Sequence, residues 1–170
     1  DRAGGHRGSG AIMKFLFVVL GVLGGDRWLK EYTNSHRMQG EEEELLGGKI
    51  LLRNYHNPGA ALGLLKNHPR LNRGLSAFIL SGLGWDFLRQ LPGRGNALRK
   101  LGLSLLLGGG LNNFAERVEK GYVTDYLSFS VKNEKLRKIV FNLSDFSVFA
   151  GVFCCAVDDF LGIFRERTRD

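Results

Sequence analysis

The sequence predicts a mainly α membrane protein, with four transmembrane helices and a small extracytoplasmic β-rich cradle. Three observations lead there. Four apolar stretches, Phe15–Gly25, Leu71–Leu88, Ala97–Leu111 and Leu143–Phe164, alternate with polar connections. Basic residues concentrate on one set of connections. A strand-like segment sits in the long first connection. At 170 residues the chain suits one domain with a core. Its 24 glycines weaken soluble helices but favour close helix packing in a bilayer.

The uninterrupted apolar cores run to only about a dozen residues, a length more typical of a buried soluble helix than of a span. They reach spanning size if the interrupting polar residues face the bundle interior. Ionisable residues held there are usually functional.

Residues Asp1–Ile12 are Gly-rich and basic and precede Met13. They are expected to be a leader outside a single domain over 13–170. Met13–Gly25 imitates a signal peptide, but Asp26-Arg27-Trp28 follows without a small-x-small site, so an uncleaved first helix is expected. Gly21 and Gly25, four apart, suggest a helix-contact face. In the connection that follows, Gly40–Glu44 reads as a solvated acidic run and Gly48–His56 as a strand after a Gly-Gly turn. His56 and His68 read as surface residues, and Trp28 and Trp85 as interfacial anchors.

Asp86 and Arg89 lie three apart near the end of the second helix, where a local ion pair is expected. The next connection holds Arg89, Arg94, Arg99 and Lys100 with no acidic residue. Together with Arg2, Arg7, Lys14, Arg165, Arg167 and Arg169 it defines a basic side, expected to be cytoplasmic. Residues 26–70 and 118–138 mix both signs. This layout accounts for the net charge of +7 without nucleic acid. A soluble nucleic-acid binder would cluster basic and aromatic side chains on one face. Here the aromatics lie within the apolar stretches. Adjacent Cys154 and Cys155 suit neither a structural disulfide nor zinc and read as buried small hydrophobes.

Three blocks carry the chemistry. Gly108-Gly-Gly-Leu-Asn-Asn113-Phe-Ala-Glu116-Arg117 closes the third stretch, with Asn113, Glu116 and Arg117 on one helical face and Glu116 able to pair with Arg117. Gly121-Tyr-Val123-Thr-Asp125 follows a glycine break, and Phe141-Asn142-Leu-Ser-Asp145 opens the fourth stretch. Singly, Asp125 is an ordinary loop residue and Asp145 an ordinary helix N-cap. Brought together at a membrane rim, two carboxylates are costly unless they share a proton. That pairing suits hydrolysis of a peptide bond, one carboxylate taking a proton from water and the other donating one. No metal and no cofactor is required.

The order of these blocks closely resembles the C-terminal signature regions of the lipoprotein signal peptidases (signal peptidase II). Asn57-Pro-Gly59-Ala60-Ala61-Leu62 resembles the family's Asn-x-Gly-Ala-Ala-Phe block, and Asp26-Arg-Trp-Leu-Lys30 its Asp-x-x-x-Lys. The resemblance implies that Asp125 and Asp145 are the catalytic dyad. It implies that Asn57, Gly59, Asn113, Glu116, Arg117, Val123 and Asn142 bind substrate or support the pair. The implied reaction removes the signal peptide from diacylglyceryl-modified prolipoproteins, just before the lipidated Cys. The implied setting is the bacterial inner membrane, multi-pass, with the site near the extracytoplasmic face among membrane lipids. Inhibition by globomycin-type compounds and a monomeric state are expected. Glu116 stands where the family carries Asp, and Leu62 where it usually carries Phe. These departures leave a second possibility, a non-catalytic relative that binds lipidated peptides. Asp158-Asp159 lies some 20 Å further along the same helix from Asp145 at about 1.5 Å per residue, too far to join it.

Overall fold

A computed structural model describes residues 5–59, 64–93 and 95–167. In chain order the elements are α1 (Gly5–His36), β1 (Glu42–Leu45), β2 (Ile50–Asn57), α2 (Pro69–Gln90), α3 (Ala97–Lys120), β3 (Val123–Phe129), α4 (Glu134–Arg137) and α5 (Leu143–Arg167). The fold is mainly helical, with one antiparallel sheet of order β1-β2-β3.

Local chemistry explains the boundaries. Pro69 opens α2, where its missing N–H costs nothing. Gly121 closes α3 in the left-handed region (φ 81°), returning its N–H to the Arg117 carbonyl, and the chain then enters β3. Leu46, Gly47 and Gly48 all have positive φ and turn β1 into β2. Across that hairpin Glu42 faces Arg53, and the two side chains pair at 2.7 Å. On the other edge of β2, Tyr55 faces Asp125, His56 faces Thr124 and Asn57 faces Val123.

Helix α3 is central, packed against α1, α2 and α5. Its Leu103, Leu106 and Leu107 join Leu80 and Phe87 of α2 in the apolar core. Glycine lets α3 and α5 approach closely: a Cβ at Gly151 would lie 2.7 Å from the Gly102 carbonyl oxygen. Most of what is buried, however, is polar. Asp26, Lys30, Asn112, Asn113, Glu116, Thr124, Asp125, Asn142 and Ser144 are all buried, while Phe17, Phe78, Trp85, Phe153 and Phe160 face outward. Apolar side chains outside and polar ones inside suit a hydrocarbon solvent, not water. Among the described residues one helix is both long and apolar enough to cross a membrane, Leu143–Phe164, with mean hydropathy 1.8.

Several expectations are corrected. The first helix extends well beyond Phe15–Gly25 and begins at Gly5, upstream of Met13. A Cβ at Gly21 would meet open space and one at Gly25 would touch Leu143 at 3.6 Å, while the glycines at closer approaches are Gly102, Gly108, Gly109, Gly110 and Gly151. Asp86 pairs with Arg99 of α3 (2.9 Å), not with Arg89. Arg99 also reaches Asp159 (2.6 Å), so one guanidinium ties α2, α3 and α5 together. Cys154 and Cys155 are free thiols, half-buried rather than fully buried. The acidic run is exposed as expected, but part of it forms the edge strand β1. His56 is half-buried: its ring stacks on Tyr122 with centroids 4.0 Å apart, and Nε2 bonds Asn34 Oδ1 at 3.1 Å. The expectations attached to Asp1, Arg2, Ala60, Ala61, Leu62, Arg94 and Arg169 lie outside the described residues.

Candidate active site

The two aspartates belong to different elements. Asp125 is the third residue of β3 and Asp145 lies in the first turn of α5. What joins β3 to α5 is a backbone pairing: Phe141 N–H donates to the Leu127 carbonyl (2.7 Å), and its own carbonyl accepts from Tyr126 and Leu127. This pairing sets Asn142, the next residue, beside Asp125.

Asn142 is fully buried and touches both carboxylates. Its Nδ2 donates to Asp125 Oδ1 at 2.7 Å. Its backbone N–H donates to Asp145 Oδ2 at 3.1 Å, and its Oδ1 accepts the Asp145 N–H at 2.9 Å. The reciprocal pair is a capping box, with Asn142 as N-cap and Asp145 as the third helical residue. The expectation of Asp145 as a simple N-cap is thereby corrected, as is that of Asp125 as a loop residue. Asn57 Nδ2 supplies a second donor to Asp125, at Oδ2 (3.0 Å), and Asn113 Nδ2 donates to Asp145 Oδ1 (3.0 Å). Three asparagine amides therefore orient the two carboxylates, and the two acids act on one another electrostatically.

Burial is the main force on Asp125, followed by the charge of Asp145; together they push its pKa up to about 7, against the pull of the Asn57 and Asn142 donors. At neutral pH it therefore holds a proton part of the time. Arg117 donates through Nε (3.2 Å) and Nη2 (2.9 Å) to the Gly59 carbonyl, and its charge acts on both aspartates. Gly59 thus anchors Arg117 through its backbone, while Val123, 1% exposed, packs under the strand end opposite Asn57.

Glu116 does not form the expected ion pair with Arg117. Consecutive helical residues point about 100° apart, so the two reach different partners. Glu116 pairs with Lys30 (3.1 Å) and Lys120 (3.1 Å) and accepts both the N–H (3.0 Å) and the hydroxyl (2.7 Å) of Thr124. Its longer side chain therefore grips the residue just before Asp125.

A layer beneath the pair carries residues that sequence reading did not place in the site. Lys30, 2% exposed, holds Asp26 (3.0 Å), Glu116 and Asn113 Oδ1 (2.6 Å). Asp26 accepts from Asn112 (2.6 Å), Tyr126 (2.8 Å), Ser144 (2.6 Å) and the Leu143 N–H (3.1 Å). One carboxylate thus ties β3 to the start of α5, the two segments that carry Asp125 and Asp145. The signal was present in the Asp26-x-x-x-Lys30 spacing, which puts both side chains on one helical face.

Asp145 also borders a cavity of about 450 Å³ between α2, α3 and α5, lined by Leu80, Leu83, Leu106, Val148 and Val152. Asn113 and Arg117 stand at the same polar end as Asp145. No group of three or more His, Cys, Asp or Glu side chains among the described residues is arranged to hold a metal. Taken together, the arrangement presents two coupled carboxylates and fixed amide donors beside an apolar trench.

Comparison with known proteins shows the family. A family model described as signal peptidase (SPase) II matches residues 18–161. A lipoprotein signal peptidase of Moorella thermoacetica is 33% identical over 140 residues, covering 82% of this chain and 88% of its own. Those of Pelotomaculum thermopropionicum and Brucella ovis are 32% and 31% identical, covering 84% and 92% of this chain and 89% and 96% of their own. A bacterial membrane enzyme solved by the in meso method shares the fold, with TM-score 0.75 and 21% identity over 92% of this chain and 91% of that one. With the family's model spanning most of the sequence and relatives above 30% identity along nearly its whole length, the chain belongs to the signal peptidase II family, the lipoprotein signal peptidases.

Proposed function

We propose that this protein is a membrane aspartyl endopeptidase that removes the signal peptide from diacylglyceryl-modified prolipoproteins, cutting before the lipidated Cys. Asp125 and Asp145 are its catalytic pair. The observation that carries the reading is Asn142, one buried residue that bonds the Asp125 carboxylate through its side-chain amide and the Asp145 carboxylate through its backbone N–H, beside an apolar trench bordered by Asp145. The ionised acid of the pair takes a proton from water as the water attacks the scissile carbonyl. The protonated acid donates to the developing oxyanion, and a proton then passes to the leaving amine. The pair titrates as a unit, and a pKa of about 7 for Asp125 supports one shared proton at neutral pH.

The supporting residues take distinct tasks. Asn57, Asn113 and Asn142 hold the carboxylate planes. Arg117 lowers the cost of negative charge at the pair, and Gly59 holds Arg117. Glu116 fixes Thr124 and hence the strand at Asp125, and Val123 seals that strand from below. α1, α2, α3 and α5 are the four spans of a multi-pass protein in the bacterial inner membrane, with the sheet and the pair at the extracytoplasmic end. Membrane lipids surround the outward Phe and Trp side chains, globomycin-type inhibitors bind in the trench, and a monomer over residues 13–170 is the working unit. Incubating the purified protein with a diacylglyceryl-modified prolipoprotein and reading the product by mass spectrometry tests this. A new N-terminus at the lipidated Cys is expected, and an intact substrate or a cut elsewhere overturns the reading.

A further inference from the structure

A second cavity, of about 490 Å³, adjoins the pair through Asn57. Asn57, whose amide donates to Asp125, lines it together with Tyr55, Lys66, Lys135, Lys138 and Ile139. The three lysines are its charged groups, and among the described residues none of them has an ion-pair partner. By contrast, Arg37, Arg53 and Lys120 each hold a carboxylate. Three cations gathered around one concavity without a counter-charge repel one another and attract an anion.

Asp145 thus borders an apolar trench, while Asn57, the partner of Asp125, borders a basic cavity. The substrate implied by the proposed function has the same polarity. An apolar signal peptide lies on one side of the scissile bond, and beyond the lipidated Cys on the other side the mature chain is polar. Asn57 both bonds Asp125 and lines the lysine cavity, so an extended chain, advancing about 3.4 Å per residue, leads from the pair into it within a few residues.

We propose that the Lys66–Lys135–Lys138 cavity is a subsite for the start of the mature chain and selects carboxylate side chains there. This rests on the peptidase reading above. The charges sit at the surface, where single pairs are weak, so the selection acts through several contacts together and fades with salt.

The test uses two lipidated prolipoprotein substrates that share a signal peptide and lipidated Cys. One carries Asp or Glu at the second to fourth positions after the cut, the other Lys. Assays run in non-ionic detergent at low salt, then in bilayers with and without phosphatidylglycerol. The acidic substrate should show a KM about fivefold lower, with the effect in KM rather than kcat. K66Q/K135Q/K138Q should erase the difference, and K66E/K135E/K138E should reverse it. The same acidic preference in the parent and the triple Gln variant overturns the subsite. So does a lysine effect that requires phosphatidylglycerol and ignores substrate charge, because it assigns the lysines to lipid headgroups. Failure of the parent to cut either substrate overturns the peptidase reading itself and the subsite with it.

Discussion

Replacing Asn142 separates two roles that its side chain combines. The Nδ2 donor to Asp125 (2.7 Å) is a bond to a carboxylate, of a kind that contributes about 2 kcal/mol. The Oδ1 acceptor for the Asp145 N–H (2.9 Å) is a helix cap, which contributes about 1 kcal/mol. Asn142→Ala loses both and should cost about 3 kcal/mol of stability. Asn142→Ser keeps a capping oxygen and should cost about 2 kcal/mol. Both variants leave Asp125 without a donor that favours its ionised form. Its pKa then rises from about 7, and the limb where activity falls with increasing pH moves to higher pH. Both should also cut kcat by about a hundredfold, since carboxylates held loosely no longer meet water and carbonyl in register. Thermal or denaturant unfolding in detergent gives the stability order, and a gel-shift cleavage assay across pH 5 to 9 gives the profile. A parent-like rate for either variant, or equal stability of Ala and Ser, would refute the bridging role.

Asp125→Asn should abolish cleavage yet gain stability relative to the parent as pH rises. An acid whose pKa is raised on folding favours the folded state below its unfolded value near 4, and that contribution is lost as pH climbs through about 7. Unfolding midpoints at pH 4 and pH 8 measure it, and a variant midpoint that falls relative to the parent's between pH 4 and pH 8 contradicts it. Lys30→Met leaves Asp26 and Glu116 buried without their shared cation and should cost about 4 kcal/mol, read as loss of folded protein in detergent. Gly151→Ala presses a methyl onto the Gly102 carbonyl and the Leu106 side chain and should cost about 2 kcal/mol in an unfolding titration. Asn72 is 3% exposed and its Nδ2 has no partner among the described residues, so Asn72→Leu should raise stability by about 1 kcal/mol, and a loss would show that the amide is satisfied.

Much of this was legible in the chain. The four apolar stretches each fall within a long helix, and the strand expected over Gly48–His56 is β2. The asparagines and aspartates of the three blocks meet, because i, i+3 spacing on a helix and a strand next to it leave few other arrangements. The strand β3 was hidden, since Gly121-Tyr-Val-Thr-Asp reads as a turn until β2 supplies its partner. The Asp26 network was hidden for another reason. Its partners lie up to 118 residues away, and no local period reports a contact of that range. Glu116 illustrates the limit of adjacency: its neighbour Arg117 looked like a partner, yet the helix turns them apart and gives Glu116 to Thr124 and Lys30.

Cleavage of a diacylglyceryl-modified prolipoprotein by the parent, Asp125→Asn and Asp145→Asn proteins, each shown to be folded, tests the central claim most directly. The expected result is a mobility shift with the parent that globomycin blocks, and intact substrate with either variant. Undiminished cleavage by either variant, or none by a folded parent, would contradict the assignment of Asp125 and Asp145 as the catalytic pair.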